Sequence, residues 1–273
     1  MKTIASDNKA AEQEAIKIFT DEQNGVEYFS FGNGKKDFII LPGLSIAPVS
    51  EAAAYVAGRY KALTEDFRIT LFDRPMSPPR EYSIRDIAND LAKSMNKAGI
   101  GNAVVLGSSQ GGMIAQQLAV DHPDMVSALV LCATTCKVEG QAYETIERWV
   151  RAAEEKDKKT LAMLVINGIY SPAAAKAVEN DMVKMISKVS DALLKRFVIL
   201  GKSCLAFDLS ESVSQIKCKT LVLGTEGDKV TLPDGAKTIA KLIKGSELHM
   251  YGKEYGHCIV DEVPDLPEKV KAF

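Results

Sequence analysis

The sequence is poor in the features that would point away from a soluble intracellular protein. No apolar run reaches the ~18 residues that suggest a membrane span. The start, Met1-Lys2-Thr3-Ile4-Ala5-Ser6-Asp7, lacks the continuous apolar stretch of a signal peptide. Lys and Arg form no cluster and the formal net charge is −2, which leaves no basic field for nucleic acid. The five cysteines (Cys132, Cys136, Cys204, Cys218 and Cys258) are an odd set without framework or metal-ligand spacing. A disulfide scaffold is excluded, a metal is not expected, and reduced thiols in the cytoplasm are. The expected partner is a small, apolar substrate, with neither nucleic acid nor membrane. Histidine is also scarce, with His122, His249 and His257 the whole supply.

What is present suits one large α/β domain carrying an insertion: 273 residues, 46% hydrophobic and 26% charged. Residues 8–19, rich in Ala, Glu and Lys, read as a short helix. Val26 to Phe31 and Asp37 to Leu41 read as strands, with Gly32-Asn33-Gly34-Lys35 between them as a hairpin turn. A phosphate loop there lacks its third Gly and its helix. The later apolar runs Phe67–Phe72, Asn102–Leu106, Ser127–Cys132, Thr220–Leu223 and Ser246–Tyr251 show no alternation, as expected of strands buried on both faces of a parallel sheet. Helical stretches near 50–63, 83–98, 110–121 and 233–243 separate most of them, so the fold class is α/β: a doubly wound, mostly parallel sheet with an N-terminal β-hairpin.

The alternation stops between about Lys137 and Ser210, where four helical patterns follow one another. Ile146, Trp149, Val150 and Ala153 recur at i, i+3, i+4, i+7, and Val178, Met182, Met185 and Val189 less strictly. The expected division is a core of 1–136 and 211–273 with a helical cap, 137–210, inserted in it. Trp149, Met163, Met182 and Phe197 are candidates either to line an apolar pocket or to pack the cap onto the core.

The sharpest signal runs from Ala103 to Ala115: a buried strand, then Gly107-Ser108-Ser109-Gln110-Gly111, then a helix. Gly-x-Ser-x-Gly in that setting is a nucleophile elbow, a turn so tight that the residues two before and two after the serine must lack bulk. Ser109 is therefore the nucleophile candidate, with Gly107 and Gly111 as the elbow glycines. Choosing Ser108 would put Leu106 and Gln110 where glycine is required.

A serine hydroxyl needs a base within hydrogen-bond reach. His122 follows the elbow helix and reads as its surface cap, while His249 lies inside a strand. His257 lies in the loop just beyond the last strand, at the carboxyl edge where such sheets gather reactive groups. The acid that holds the imidazole in one tautomer is sought in Gly224-Thr225-Glu226-Gly227-Asp228. Asp228, later in the turn, is preferred; Glu226 stays as the alternative, and Asp228 could instead cap the helix beginning near Leu232. The chain order Ser, Asp, His is that of the hydrolase elbow proteins. Oxyanion donors are expected from the backbone N–H of Gln110 and, after the strand ending at Leu41, from that of Leu44, where Gly43 permits close approach and Pro42 has no N–H to give. Cys258, beside the base, reads as a small buried residue.

These motifs resemble the α/β-hydrolase superfamily, in particular the small helical-cap serine esterases, lactonases and carbon–carbon hydrolases. The resemblance covers nearly the whole chain and also takes in Asp73-Arg74-Pro75. It implies a cofactor-free hydrolase with the cap roofing its site. The serine at the elbow decides against haloalkane dehalogenases and epoxide hydrolases, which need aspartate there. Two departures concern loops expected at the site mouth: Pro42-Gly43 where the family usually has His-Gly, and Met76-Ser77-Pro78-Pro79 after the Asp-Arg-Pro segment. The expected function is hydrolysis of a carboxylic ester through an acyl-enzyme on Ser109. The alternatives are lactone, thioester or carbon–carbon hydrolysis on the same triad, or a non-catalytic ligand-binding protein.

Overall fold

The computed structural model describes residues 16–273, together with the backbone of a two-residue strand at Lys2–Thr3. Among the described residues nine strands form one sheet: β1 (Lys2–Thr3), β2 (Lys17–Asp21), β3 (Val26–Phe31), β4 (Lys36–Leu41), β5 (Phe67–Phe72), β6 (Ala103–Ser108), β7 (Val126–Cys132), β8 (Lys219–Thr225) and β9 (Glu247–Tyr251). Their order is β1-β2-β3-β5-β4-β6-β7-β8-β9. The strands from β5 to β9 in that order are parallel, and β1, β2 and β3 add an antiparallel edge. This is the doubly wound, mostly parallel sheet expected of the sequence.

Two readings near the N-terminus need correction. The expected helix over 8–19 ends in strand, since Lys17 to Phe19 belong to β2; residues 8–15 lie outside the described residues. The expected hairpin of β3 with β4 does not form, because β5 lies between them and pairs antiparallel with one and parallel with the other. The hairpin is instead β2 with β3, turning through Asn24-Gly25 with Gly25 at φ +70°. The reason is burial. Phe38-Ile39-Ile40-Leu41 is covered throughout, and a strand buried on both faces belongs in the middle of a sheet.

The helices α1 (Ala53–Arg59), α2 (Ile84–Lys97), α3 (Gln110–Asp121), α8 (Leu232–Leu242), α9 (Ile259–Glu262) and α10 (Leu266–Ala272) cover the two faces, with α4 to α7 reserved for the insertion below. Alternate strand residues supply the two cores. Ile39, Leu41, Val105 and Leu131 face α2 and α3, whereas Phe38, Ile40, Leu106 and Val130 face α1, α9 and α10. Helix α2 starts at a capping box in which Ser83 and Asp86 satisfy each other's backbone N–H groups.

The chain leaves β4 toward β5 on one side and returns through β6 on the other. That reversal makes a crevice at the carboxyl ends of β4 and β6, the usual ligand position in an open α/β sheet. Between β7 and β8 come four helices, α4 (Gly140–Glu154), α5 (Lys158–Ile169), α6 (Pro172–Ser187) and α7 (Asp191–Leu205). Asp157, Ser171 and Ser190 cap the last three through their side chains. The two ends of the insertion are pinned by Val138 N–H to Phe207 O (3.0 Å) and Leu209 N–H to Cys136 O (2.8 Å). Ile146, Trp149, Val150 and Ala153 are all buried as their spacing requires, but α6 turns Ile186 inward and leaves Met185 39% exposed. Among the described residues no helix is long and apolar enough to cross a membrane.

Candidate active site

Ser109 sits at φ 53°, ψ −119°, a backbone conformation that costs a non-glycine residue free energy. Its N–H donates to Cys132 O at the end of β7 (3.0 Å), and its carbonyl accepts from Thr134 Oγ1 (2.7 Å). The strained residue is thus held between the ends of two neighbouring strands. The glycine requirement is steric and severe. A Cβ on Gly107 would lie 2.3 Å from Gly111 O, and one on Gly111 would lie 2.0 Å from Leu41 O. Gly43 is tight against the serine from the other side, where a Cβ would lie 3.2 Å from that of Ser109. Ser108 is buried as the last residue of β6.

Gly111→Ala tests this close approach. The obstructing atoms belong to backbone and cannot rotate aside, so the cost is expected to exceed the ~1–3 kcal/mol of ordinary overpacking. A drop in melting temperature of well over 5 °C follows for a chain of this size (order of magnitude). Unchanged thermal unfolding would show that the elbow has room.

The loops after β8 and β9 bring the other two expected residues together. His257 Nδ1 lies 2.9 Å from Asp228 Oδ1, and both side chains are buried. Asp228 also accepts from the N–H groups of Val230 (2.8 Å) and Thr231 (3.0 Å), and from Thr231 Oγ1 (2.7 Å). It therefore fastens the approach to α8 as well as the imidazole. Burial pushes its carboxyl pKa up, but the His257 charge and the hydrogen bonds from His257, Thr231 and Val230 outweigh this and hold it below its ordinary 3.8. Glu226 is exposed and paired with Lys237 Nζ at 2.9 Å. Thr225 Oγ1 joins the two loops, within 2.8 Å of Gly252 O and 2.9 Å of Tyr255 O. On either side of His257 the loop is tied to the cap. Cys258 N–H donates to Ile169 O (2.7 Å), and Glu262 Oε1 accepts from both Gly256 and Ser171 N–H (3.1 Å each).

Ser109 and His257 open onto one cavity of about 340 Å³. Its inner wall is apolar, from Ile40, Leu71, Leu106 and Val56; Tyr55 and Asp261, joined by a 3.2 Å hydrogen bond, lie at its exposed side. The cap contributes Trp149, Ile169 and Tyr170. Of the four cap residues singled out in the sequence only Trp149 reaches this cavity. Met163 lines a separate surface cleft, while Met182 and Phe197 pack into the core. Cys258 is half-buried on the cavity wall rather than buried, with Sγ 3.1 Å from Asp261 Oδ2. Met76 to Pro79 do not line the cavity. His122 follows α3 as its C-cap, with Nε2 2.8 Å from Asn89 Oδ1, and His249 stacks edge-on against Tyr251.

His257 Nε2 is buried and has no hydrogen-bond partner among the described residues. Gln110 opens α3, so its N–H has no acceptor within the helix and stands at the positive end of the helix dipole. Leu44 lies on the cavity wall. The loop that carries it is gripped from behind by Arg74, which donates to Pro42 O (3.0 Å), Gly43 O (2.8 Å) and Ser45 Oγ (3.0 Å). Neither this role of Arg74 nor its partner Arg196 on α7 was legible in the sequence. A lone Arg in a helical stretch gives no sign that it is buried. Chemically, the arrangement offers a hydroxyl, a polarised imidazole and backbone donors around an apolar cavity.

Known proteins share this architecture. The chain is 26% identical over 214 residues to a protein of Methanothermobacter thermautotrophicus described as a "Probable acyltransferase". That match covers 71% of this chain and 66% of the relative, just under two thirds of its length. MGS-M2, an alpha/beta hydrolase enzyme from a Medee basin deep-sea metagenome library, has a similar structure at TM-score 0.82 and 21% identity, over 94% of this chain and 98% of that one. The enol-lactonase from Burkholderia xenovorans LB400 aligns at TM-score 0.77 and 22% identity, over 91% and 96%. At such identities the structural likeness speaks for the fold. With residues 61–264 matching the family described as alpha/beta hydrolase fold, this chain belongs to that family.

Proposed function

We propose that the chain is a serine hydrolase that cleaves a carboxylic ester through an acyl-enzyme on Ser109. His257 Nε2 takes the Ser109 proton as Oγ attacks the ester carbonyl, and the N–H groups of Leu44 and Gln110 receive the oxyanion. The same imidazole returns the proton to the departing alcohol. Water, deprotonated by His257, then attacks the acyl carbon and releases the acid. Asp228 keeps Nδ1 protonated and stabilises the imidazolium that forms at each step.

The observation that carries this reading is a serine on a strained elbow sharing one cavity with a histidine whose Nδ1 is bound to a buried carboxylate and whose Nε2 has no hydrogen-bond partner among the described residues. The apolar inner wall favours a hydrophobic acyl group. Rates on nitrophenyl esters are expected to rise from acetate to longer chains until the cavity of about 340 Å³ is filled, then to fall. A wild type inert toward every ester but active on a lactone or thioester would move the substrate to that class on the same residues. Tight ligand binding without any turnover would sink the hydrolase reading.

A further inference from the structure

Helix α7 of the cap reaches both segments that would hold an oxyanion. Arg196, 1% exposed, donates from Nη2 to Asp73 Oδ1 (2.7 Å) and Arg74 O (2.8 Å), and from Nε to Pro75 O (3.0 Å). Asp73 also accepts from the N–H groups of Arg74 (2.7 Å) and Val49 (3.0 Å), so it joins the loops after β4 and β5. Arg74 then grips the Pro42 and Gly43 carbonyls. Further along α7, Leu200 O accepts from Gln110 Nε2 (2.8 Å), which also lies 3.3 Å from Ser203 Oγ. A single cap helix is thereby bonded to the residue that carries one donor and, through Asp73 and Arg74, to the loop that carries the other.

Peptide geometry gives this chain of contacts a direction. No cis peptide occurs among the described residues. In a trans peptide the C=O and N–H point oppositely, so turning Gly43 C=O toward Arg74 turns the Leu44 N–H away from it. The charge balance is unusual too. Two guanidiniums share one carboxylate in the interior, Arg74 Nε at 3.7 Å and Arg196 Nη2 at 2.7 Å from Asp73 Oδ1, and Arg74 Nε and Arg196 Nη1 are buried without a hydrogen bond among the described residues. Burial lowers the Arg74 pKa to about 10, Asp73 opposing the shift and Arg196 adding to it. Well-packed hydrophobic residues would join two elements at least as stably as a buried ion cluster. An excess positive charge behind a loop that must receive an oxyanion has a use that packing alone does not.

We propose that Arg196 is a positioning residue for ester cleavage: through Asp73 and Arg74 it sets the peptide that presents the Leu44 N–H, so that the seating of α7 and a competent oxyanion hole are one event. The inference rests on the serine-hydrolase reading above. A cap movement that lifted α7 would switch the site off.

The test uses Arg196→Met and Arg196→Lys with Ser109→Ala as control, each checked for cooperative thermal unfolding. Two rates are measured: nitrophenyl ester hydrolysis, and phosphonylation by a fluorophosphonate, in which Oγ displaces fluoride while the phosphoryl oxygen occupies the oxyanion position. Folded Arg196→Met is expected to lose about 10²-fold in kcat and in phosphonylation rate, the scale of a ~1 Å misplacement. KM should stay within about threefold, because substrate binding in the ground state is untouched. Arg196→Lys, which keeps the charge but cannot reproduce the three bonds, should fall between. If Arg196→Met does not fold, Arg196→Lys is read by the same criteria. Wild-type rates in the folded variant, or a loss that lies wholly in KM, would overturn the role of Arg196. Absence of Ser109-dependent phosphonylation in the wild type would instead overturn the hydrolase reading, and this inference with it.

Discussion

Ser109→Ala is expected to lose ester turnover by on the order of 10⁴ or more, with no loss of stability. The two halves of that expectation have separate causes. Alanine keeps the Cβ and meets the same strained backbone at φ 53°, which the Cys132 and Thr134 contacts impose through main-chain atoms. Ser109 Oγ makes no hydrogen bond among the described residues, so removing it breaks nothing that holds the fold. What disappears is the atom that would form the acyl-enzyme, leaving the backbone donors and the cavity to act on water alone. Steady-state rates beside a thermal melt check both halves. A variant that melts like wild type and retains most of its activity would remove Ser109 from the mechanism.

Asp228→Asn is expected to lower kcat by about 10⁴, and Glu226→Gln to leave it unchanged. The asparagine can still accept from Val230 and Thr231 N–H, so the turn survives. Val230, Thr231 and His257 Nδ1 all meet the same oxygen, Oδ1, so the amide oxygen that keeps the turn also faces the imidazole, but as a neutral group it no longer stabilises the imidazolium that forms when His257 takes the Ser109 proton. Glu226 is an exposed partner of Lys237, and such pairs contribute little. Equal losses in the two variants would reopen the choice of acid. The same carboxylate affects acid stability. Held below its ordinary 3.8, it stabilises the folded chain above that pH, and the contribution is lost as pH falls through the lower folded value. Asp228→Asn should therefore flatten the acid limb of a stability curve relative to wild type.

Where the sequence reading failed, it failed on pairing and on burial. Two Asn-Gly steps flank β3, at Asn24-Gly25 and Asn33-Gly34, and local turn chemistry could not say which closes a hairpin. The unbroken apolar run Phe38 to Leu41 was the available signal that β4 sits centrally, and it outweighs the turn. The mistaken helix at 17–19 has the same origin: β2 is an edge strand whose half-exposed residues show no strong period, so composition carried over from the preceding residues. In the cap, helical periodicity identified inward faces but not what they touch. Phe197 faces the core, whereas Ile169 and Tyr170, at the junction of α5 and α6, reach the cavity.

By itself the sequence pointed to the family, to the elbow at Ser109 and to His257 with two candidate acids, Glu226 and Asp228, because each rests on local chemistry: glycines that a tight turn demands, and polar residues just past buried strands. Tertiary structure alone decided that Asp228 rather than Glu226 meets His257, that β5 separates β3 from β4, and that Arg196 stands behind the loop of Leu44. Those contacts join residues far apart in the chain, 29 positions for His257 and Asp228 and 123 for Arg196 and Asp73. No local pattern records such a contact, since it exists only where packing has removed both partners from water and left each as the other's best remaining hydrogen bond.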